Sequence, residues 1–163
     1  MIIPNHEIMP VIRAALERGQ RVRMTVTGTS MRPFIHDGDV VELEPVRSMP
    51  RLGDVVQVQC SEECCVVHRV VRIEGEAFFL RGDANAHCEG PFGRDSLCGR
   101  VILCYRNGRA RAYDCGVWRF AGLAWAWCFP LFRVLRRASG SVRRIGGKVL
   151  PAMKETVGKT LSS

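Results

Sequence analysis

Residues 28–33, Gly-Thr-Ser-Met-Arg-Pro, are the stretch around which this chain is organised. They follow an alternating segment that predicts a β-strand with Val22, Met24 and Val26 on its buried face. A turn of small residues then places the Ser30 hydroxyl at the end of that strand, and the proline stiffens the exit. A serine held on a rigid element in this way is a candidate nucleophile.

Further short motifs follow this stretch in a fixed order. They are two Gly-Asp pairs, Val-His-Arg-Val, Gly-Asp-Ala-Asn and Gly-Arg-Val, at residues 38–39, 53–54, 67–70, 82–85 and 99–101. The ordered set resembles the catalytic domain of type I signal peptidases and the related self-cleaving repressors, over residues 22–106. This resemblance implies a serine endopeptidase that acts on a peptide or protein substrate, with no cofactor and no metal.

The resemblance also implies a base for Ser30, and here this chain offers a histidine. Bacterial signal peptidases and the repressors use a Ser/Lys dyad, but the lysines of this chain, 148, 154 and 159, all lie beyond the matching region. His68 stands in the usual lysine position. Imidazoles ordinarily titrate at about pH 6.5 and can accept a hydroxyl proton. A Ser/His pair is closest to the endoplasmic-reticulum and archaeal branch of signal peptidases. A half-buried strand histidine with no catalytic role is the alternative.

Two acids are candidates to support His68. The Ser/His branch has acidic residues in and just after its Gly-Asp motif; Asp83 matches the first, and Glu89 stands where the second, an aspartate, is expected. Either carboxylate could orient the imidazole and stabilise its charged form. For Asp83 a role as a turn cap is the alternative.

The resemblance further implies that backbone N–H groups hold the oxyanion of the reaction. The N–H of Ser30 is the first candidate. Many bacterial relatives add a serine hydroxyl two residues before the nucleophile, but Gly28 occupies that position, so Thr29 is the remaining candidate donor. Asp39 and Asp54, in the Gly-Asp pairs, are expected to fix turns.

The fold class expected is mainly β: a signal-peptidase-like coiled sheet or partly open barrel with a short N-terminal helix and a C-terminal helical tail. Residues 1–19 form the helix, 20–115 the β domain and 116–163 the tail. Asn107-Gly108 predicts a two-residue hairpin, and residues 45–53 and 85–98 are expected to be loops. The predicted strands are 20–27, 39–44, 54–60, 65–74, 77–82, 99–106 and 109–114.

The tail carries the entire net charge of +8. From Val117 onward there are six arginines and three lysines against one acid, Glu155, which gives 9 − 1 = +8; before it, 15 arginines balance 15 acids. All three tryptophans lie in an apolar segment at its start, apart from the basic residues, which favours lipid over nucleic acid. We therefore expect residues 117–148 to bind a membrane surface, with no nucleic-acid partner and the cytoplasmic side favoured because no N-terminal signal or anchor is seen.

Two other arrangements of the tail stay open, a short C-terminal span and a helix packed on the β domain. Removal of residues 117–163 is expected to release the protein from membranes without unfolding it. The eight cysteines are expected to be free thiols, with Cys104 and Cys128 buried, and a zinc site formed by Cys60, Cys64, Cys65 and His68 is disfavoured by its spacing. The alternative function is a non-catalytic or self-cleaving relative that acts as a membrane-associated binding module.

Overall fold

The computed structural model describes residues 5–61, 64–113 and 115–129. A helix, α1 (Asn5–Glu17), precedes the strands, and residues 116–129 form a second helix, α2. The strands are β1 (Val22–Thr25), β2 (Val40–Glu44), β3 (Val55–Gln59), β4 (Cys65–Glu74), β5 (Ala77–Arg81), β6 (Glu89–Phe92), β7 (Leu97–Arg106) and β8 (Arg109–Ala112).

The eight strands form one antiparallel sheet with the order β1-β2-β7-β3-β4-β5-β6, and β8 pairs with the second half of β7. The register shifts within the β2–β7, β3–β7, β4–β5 and β5–β6 pairs, and such bulges bend and twist a sheet. The sheet is open, because β1 and β6 do not pair with each other among the described strands. The fold is therefore mainly β, as predicted, and it is not a closed barrel.

Most of the predicted strands are present in the structure. The structure also contains one strand, β6, that the sequence did not predict. The hairpin between β7 and β8 turns at Asn107 and Gly108, which have φ angles of 50° and 74° and match the left-handed conformation that a tight hairpin requires. Residues 85–98 were expected to be a loop. This expectation is wrong, because Glu89–Phe92 pairs with β5 and β7 begins at Leu97.

The core consists of two clusters of buried apolar residues. In the first, Ile12 and Leu16 of α1 pack with the apolar side chains Val41, Leu43 and Val101. The second joins β3, β4 and β5 and consists of Val56, Val58, Val70, Phe78 and Leu80.

Helix α2 packs on the sheet by one side. Trp118 stacks on Tyr113 with ring centres 6.2 Å apart, and both Trp118 and Trp125 meet the Phe34 ring edge-on at 6.4 Å. Ala126 is buried. The described residues up to Trp127 therefore belong to one compact unit. Removal of residues 117–163 would therefore also remove packed side chains of α2, and whether the remainder stays folded is still a prediction.

Cys128–Ser163 are grouped as a second unit, of which residues 128 and 129 are described. The basic part of the predicted membrane-binding tail, residues 130–148, lies outside the described residues. Among the helices that are described, none has the length and apolar character needed to cross a bilayer. Cys104 is buried as expected, whereas Cys128 is exposed, so the expectation of a buried Cys128 is wrong.

Candidate active site

Ser30 lies in the turn that follows β1. The turn is fixed at its start, where the Gly28 N–H donates a hydrogen bond of 2.8 Å to Asp37 Oδ1 and Gly28 has a φ angle of 98°. It is fixed again at Ser30 itself, whose carbonyl accepts a 2.7 Å hydrogen bond from the Ala84 N–H. A Cβ on Gly82 would lie 2.7 Å from that carbonyl oxygen, so glycine is required for this close approach.

The Ser30 hydroxyl contacts His68. His68 lies in the middle of β4, opposite Val56 on β3, and its side chain is only 7% exposed. Its Nε2 is 3.0 Å from Ser30 Oγ, and its Nδ1 is 3.2 Å from Glu89 Oε2. Because a carboxylate can only accept, Nδ1 carries the ring proton and Nε2 is left as the acceptor for the Ser30 O–H. The two side chains predicted from the motif order thus lie within hydrogen-bonding distance.

Glu89 comes from the strand that sequence reasoning missed. It lies in β6 opposite Leu80, and its side chain is 37% exposed. The chain from Ser30 through His68 to Glu89 is a hydroxyl, an imidazole and a carboxylate in line, the arrangement in which a serine can be activated.

Asp83, the other candidate acid, is bound by Arg69 and not by His68. Arg69 Nε and Nη2 donate to the two Asp83 carboxylate oxygens at 2.7 and 2.8 Å, and Nη1 donates to the Gly53 carbonyl at 2.9 Å. Both side chains of the pair are almost completely buried. Burial raises the pKa of the Asp83 carboxyl, an effect that the hydrogen bonds from Arg69 oppose. Asp83 therefore does not contact the imidazole, which was one of the two roles considered for it. It forms a buried ion pair with Arg69 instead.

The ion pair joins the site to α2. Trp125 Nε1–H donates to the Asp83 carbonyl at 3.0 Å, and Gly122 lies directly against the Arg69 guanidinium. Sequence reasoning did not find these contacts. A signal was present, because adjacent strand residues point to opposite faces and an arginine inside a run of valines has to be paired.

The candidate oxyanion donors lie next to the Ser30 hydroxyl. Among the residues that the structure describes, neither the Thr29 N–H nor the Ser30 N–H has an acceptor. The Gly28 N–H is already used by Asp37. The Ser30 N–H is thus available to an incoming oxyanion, while Thr29 stays a prediction.

The two aspartates of the Gly-Asp pairs do fix turns. Asp39 Oδ2 accepts the His36 N–H and Asp54 Oδ2 accepts the Arg51 N–H, each at 2.8 Å and each three residues back. Neither carboxylate contacts Ser30 or His68 within the described part of the chain.

A cavity of about 150 Å³ opens beside Ser30 and His68. It lies between two strand edges, with residues 24–28 on one side and residues 65–68 on the other. Apolar side chains such as Met24, Met31 and Ile35 line it together with polar groups. Within the described strands, β1 pairs only with β2, and the first half of β4 only with β3. Each of these two strand segments therefore has one edge without a strand partner among the described strands.

One competing nucleophile lines the same cavity. Burial raises the pKa of the Cys65 thiol to about 12, so Cys65 stays protonated and unreactive near neutral pH. All eight cysteines are free. Over the described residues, no group of three histidine, cysteine or acidic side chains is placed to bind a metal ion.

The fold is mainly β, and Ser30, His68 and Glu89 form a hydroxyl–imidazole–carboxylate arrangement of the kind that serine peptidases use. A family model described as Peptidase S24-like matches residues 3–123, and the chain belongs to that family. The match includes Ser30, His68, Asp83 and Glu89, and it places the chain among serine peptidases and their self-cleaving relatives. No curated protein matches the chain at a significant level.

Proposed function

We propose that this chain is a serine endopeptidase in which Ser30 is the nucleophile, His68 the general base and Glu89 the residue that orients the imidazole. The observation that supports it is the continuous contact from the Ser30 hydroxyl through both ring nitrogens of His68 to the Glu89 carboxylate. A serine hydroxyl is inert near neutral pH unless a base takes its proton. A neutral Nε2 at 3.0 Å is such a base.

In the proposed reaction, Ser30 Oγ attacks the carbonyl carbon of the scissile peptide bond while its proton passes to His68 Nε2. The negative charge that develops on the carbonyl oxygen is stabilised by the free Ser30 N–H. Glu89 stabilises the imidazolium that forms. The imidazolium then gives its proton to the leaving amine, and a water molecule, activated by the same imidazole, releases the acyl group from Ser30.

The substrate in this proposal is an extended peptide. Two strand segments, each with one edge that lacks a strand partner among the described strands, flank the cavity next to Ser30, so an extended chain could pair with either of them, as in β-augmentation. The cavity volume of about 150 Å³ and the apolar side chains in its mixed lining, such as Met24, Met31 and Ile35, suit one apolar side chain next to the scissile bond.

We further propose that the chain belongs to the Ser/His branch of signal peptidases. The supporting feature is a histidine at the position where other relatives have the lysine base. The three lysines of the chain all lie outside the described residues. The second candidate function is a non-catalytic or self-cleaving relative, and it predicts no turnover of an added peptide.

The test is covalent labelling by a fluorophosphonate probe, which reacts with activated serines, followed by mass spectrometry of the labelled peptide. We expect the label on Ser30, its loss in Ser30→Ala and His68→Ala, and its retention in Ser61→Ala, an exposed serine in the β3–β4 turn. Digestion of a peptide library by the wild-type protein should then show cleavage that Ser30→Ala lacks. Label that persists in Ser30→Ala, or a library left intact by the labelled wild type, contradicts the proposal.

A further inference from the structure

Helix α2 has an outer face that is apolar and exposed. Val117, Phe120 and Trp127 have 75%, 73% and 80% of their surface accessible, and Ala124 between them is exposed as well. At about 100° per residue, these four positions fall within roughly 80° of the helix circumference. They form one continuous strip, which we call the outer face of α2.

This concentration is unusual for the surface of the molecule. Within the described residues, large apolar side chains are exposed at five places, and three of them are on α2. The other two are Val11 on α1 and Leu52. The Leu52 carbonyl accepts a hydrogen bond from Arg119 of α2. Single exposed apolar side chains need no explanation, whereas a clustered strip that includes two aromatic rings marks an interaction surface.

Helix α2 is not free to rotate about its own axis and bury this strip against the sheet. It is held by the Trp118 and Trp125 ring contacts, by the Trp125 hydrogen bond to Asp83 and by the ion pair between Arg119 and Asp54. The exposure of the outer face therefore follows from how α2 is anchored on the sheet.

We propose that the outer face of α2 docks on an anionic lipid surface. Trp127 and Phe120 are residue types that partition into the lipid–water boundary. The sequence that follows them, from residue 128 onward, contains five arginines and three lysines against Glu155, a formal charge of 5 + 3 − 1 = +7. Apolar anchors followed by a strongly basic segment match the two components of an anionic membrane, its acyl chains and its headgroups.

The same charge argues against a second copy of this chain as the occupant. Pairing two outer faces would join two chains that each carry a formal charge of +7 from residue 128 onward, and like charges repel. An anionic surface instead neutralises both tails. This inference does not depend on the catalytic proposal, since no residue of the outer face touches Ser30, His68 or Glu89.

The test is flotation of the full-length protein with phosphatidylglycerol/phosphatidylcholine vesicles and with phosphatidylcholine vesicles. We expect binding to the anionic vesicles, with a drop of about tenfold for the double variant Phe120→Ser/Trp127→Ser. The control is Val11→Ser, which removes an exposed apolar side chain, 66% accessible, from the other helix and should bind as the wild type does.

Tryptophan fluorescence gives a second readout that misfolding cannot imitate. On addition of anionic vesicles, the wild-type emission should shift to shorter wavelength as Trp127 enters the interface, and Trp127→Phe should show no shift because Trp118 and Trp125 stay packed. Equal flotation of the double variant and the Val11→Ser control overturns the proposal. So does a concentration-dependent dimer that Phe120→Ser/Trp127→Ser abolishes while wild-type protein ignores the vesicles.

Discussion

Gly122 of α2 lies against the guanidinium of Arg69 so closely that a Cβ at position 122 would be 2.1 Å from Arg69 Cζ. A long side chain usually yields to such a contact. Arg69 cannot, because its nitrogens are held by both oxygens of Asp83 and by the Gly53 carbonyl. The absence of a side chain at position 122 is therefore what lets α2 cover the buried ion pair.

The first prediction follows from this contact. Alanine is a better helix former than glycine by about 1 kcal/mol, yet Gly122→Ala should lower the free energy of unfolding by about 2 kcal/mol or more, because the helix must shift or the ion pair must break. The control is Gly116→Ala on the same helix, where a Cβ would meet only the Phe120 ring at 3.8 Å. Urea denaturation of both variants gives the comparison, and a neutral Gly122→Ala would contradict it.

Replacing each candidate acid by its amide should have a different effect, on activity for Glu89 and on stability for Asp83. Glu89→Gln removes the charge beside His68 Nδ1 from a partly exposed site, so we expect kcat to fall about 100-fold with stability unchanged. Asp83→Asn leaves Arg69 buried without a counter-charge, so it should lower the free energy of unfolding by about 3 kcal/mol. Kinetics and urea denaturation on both proteins test this, with Glu76→Gln in an exposed turn as the control.

If both amide variants lost activity in proportion to their stability, Glu89 would have no specific role. A specific role of the Glu89 charge predicts that Glu89→Asp, which keeps the charge on a shorter side chain, retains more activity than Glu89→Gln.

The pH dependence of activity should identify the base. A histidine base must be neutral to accept the Ser30 proton, so with such a base kcat/KM should rise with pH and level off before the alkaline range. A lysine base would keep gaining activity into the alkaline range. Hydrolysis of a cleaved peptide from about pH 5 to 10 measures the profile, and a continued rise above about pH 9 would exclude His68 as the base.

A separate pH effect concerns stability. The hydrogen bonds from Arg106 to Asp39 hold the pKa of that carboxyl below its ordinary value. Because the folded-state pKa is depressed, the ion pair contributes its stability above the unfolded-state value of about 3.9, and this stability is lost as pH falls through the folded-state pKa.

Asp39→Asn should therefore be less stable than the wild type by about 2 kcal/mol at neutral pH. The difference should shrink as the pH falls below about 4. Urea denaturation at the two pH values measures it, and Asp95→Asn, an exposed acid before β7, is the control. A difference that is the same at both pH values would mean that the Asp39 charge is not responsible.

Sequence patterns predicted the parts of the site that depend on local order. Alternation placed β1 before Ser30, and the Val-His-Arg-Val segment placed His68 in a strand, because both signals are read within a few residues. The missing strand, β6, could not be read in this way. It contains Gly90 and Pro91, residues that disfavour strands, and pairs with β5 at only two positions, Phe78↔Phe92 and Leu80↔Glu89.

The support beneath the site was hidden for a different reason. Arg69 and Asp83 are separated by 14 residues, and the β4–β5 register between them contains a bulge between Val70 and Arg72 that the sequence pattern does not reveal. The cover over them comes from α2, whose tryptophans favoured a membrane face, with a helix packed on the β domain as an alternative. The structure divides that aromatic segment instead, with Trp118 and Trp125 packed inward and Trp127 exposed.

This division predicts where the chain can be shortened. A chain that ends at Phe129 retains the inner face of α2 and should unfold at the same urea concentration as the full-length protein. A chain that ends at Gly116 loses Trp118, Trp125 and the buried Ala126, so its free energy of unfolding should fall by about 3 kcal/mol or more. Because the Arg69–Asp83 pair is then open to water, probe labelling of Ser30 should fall as well. Equal stability of the two shortened chains would show that α2 contributes nothing to the catalytic unit.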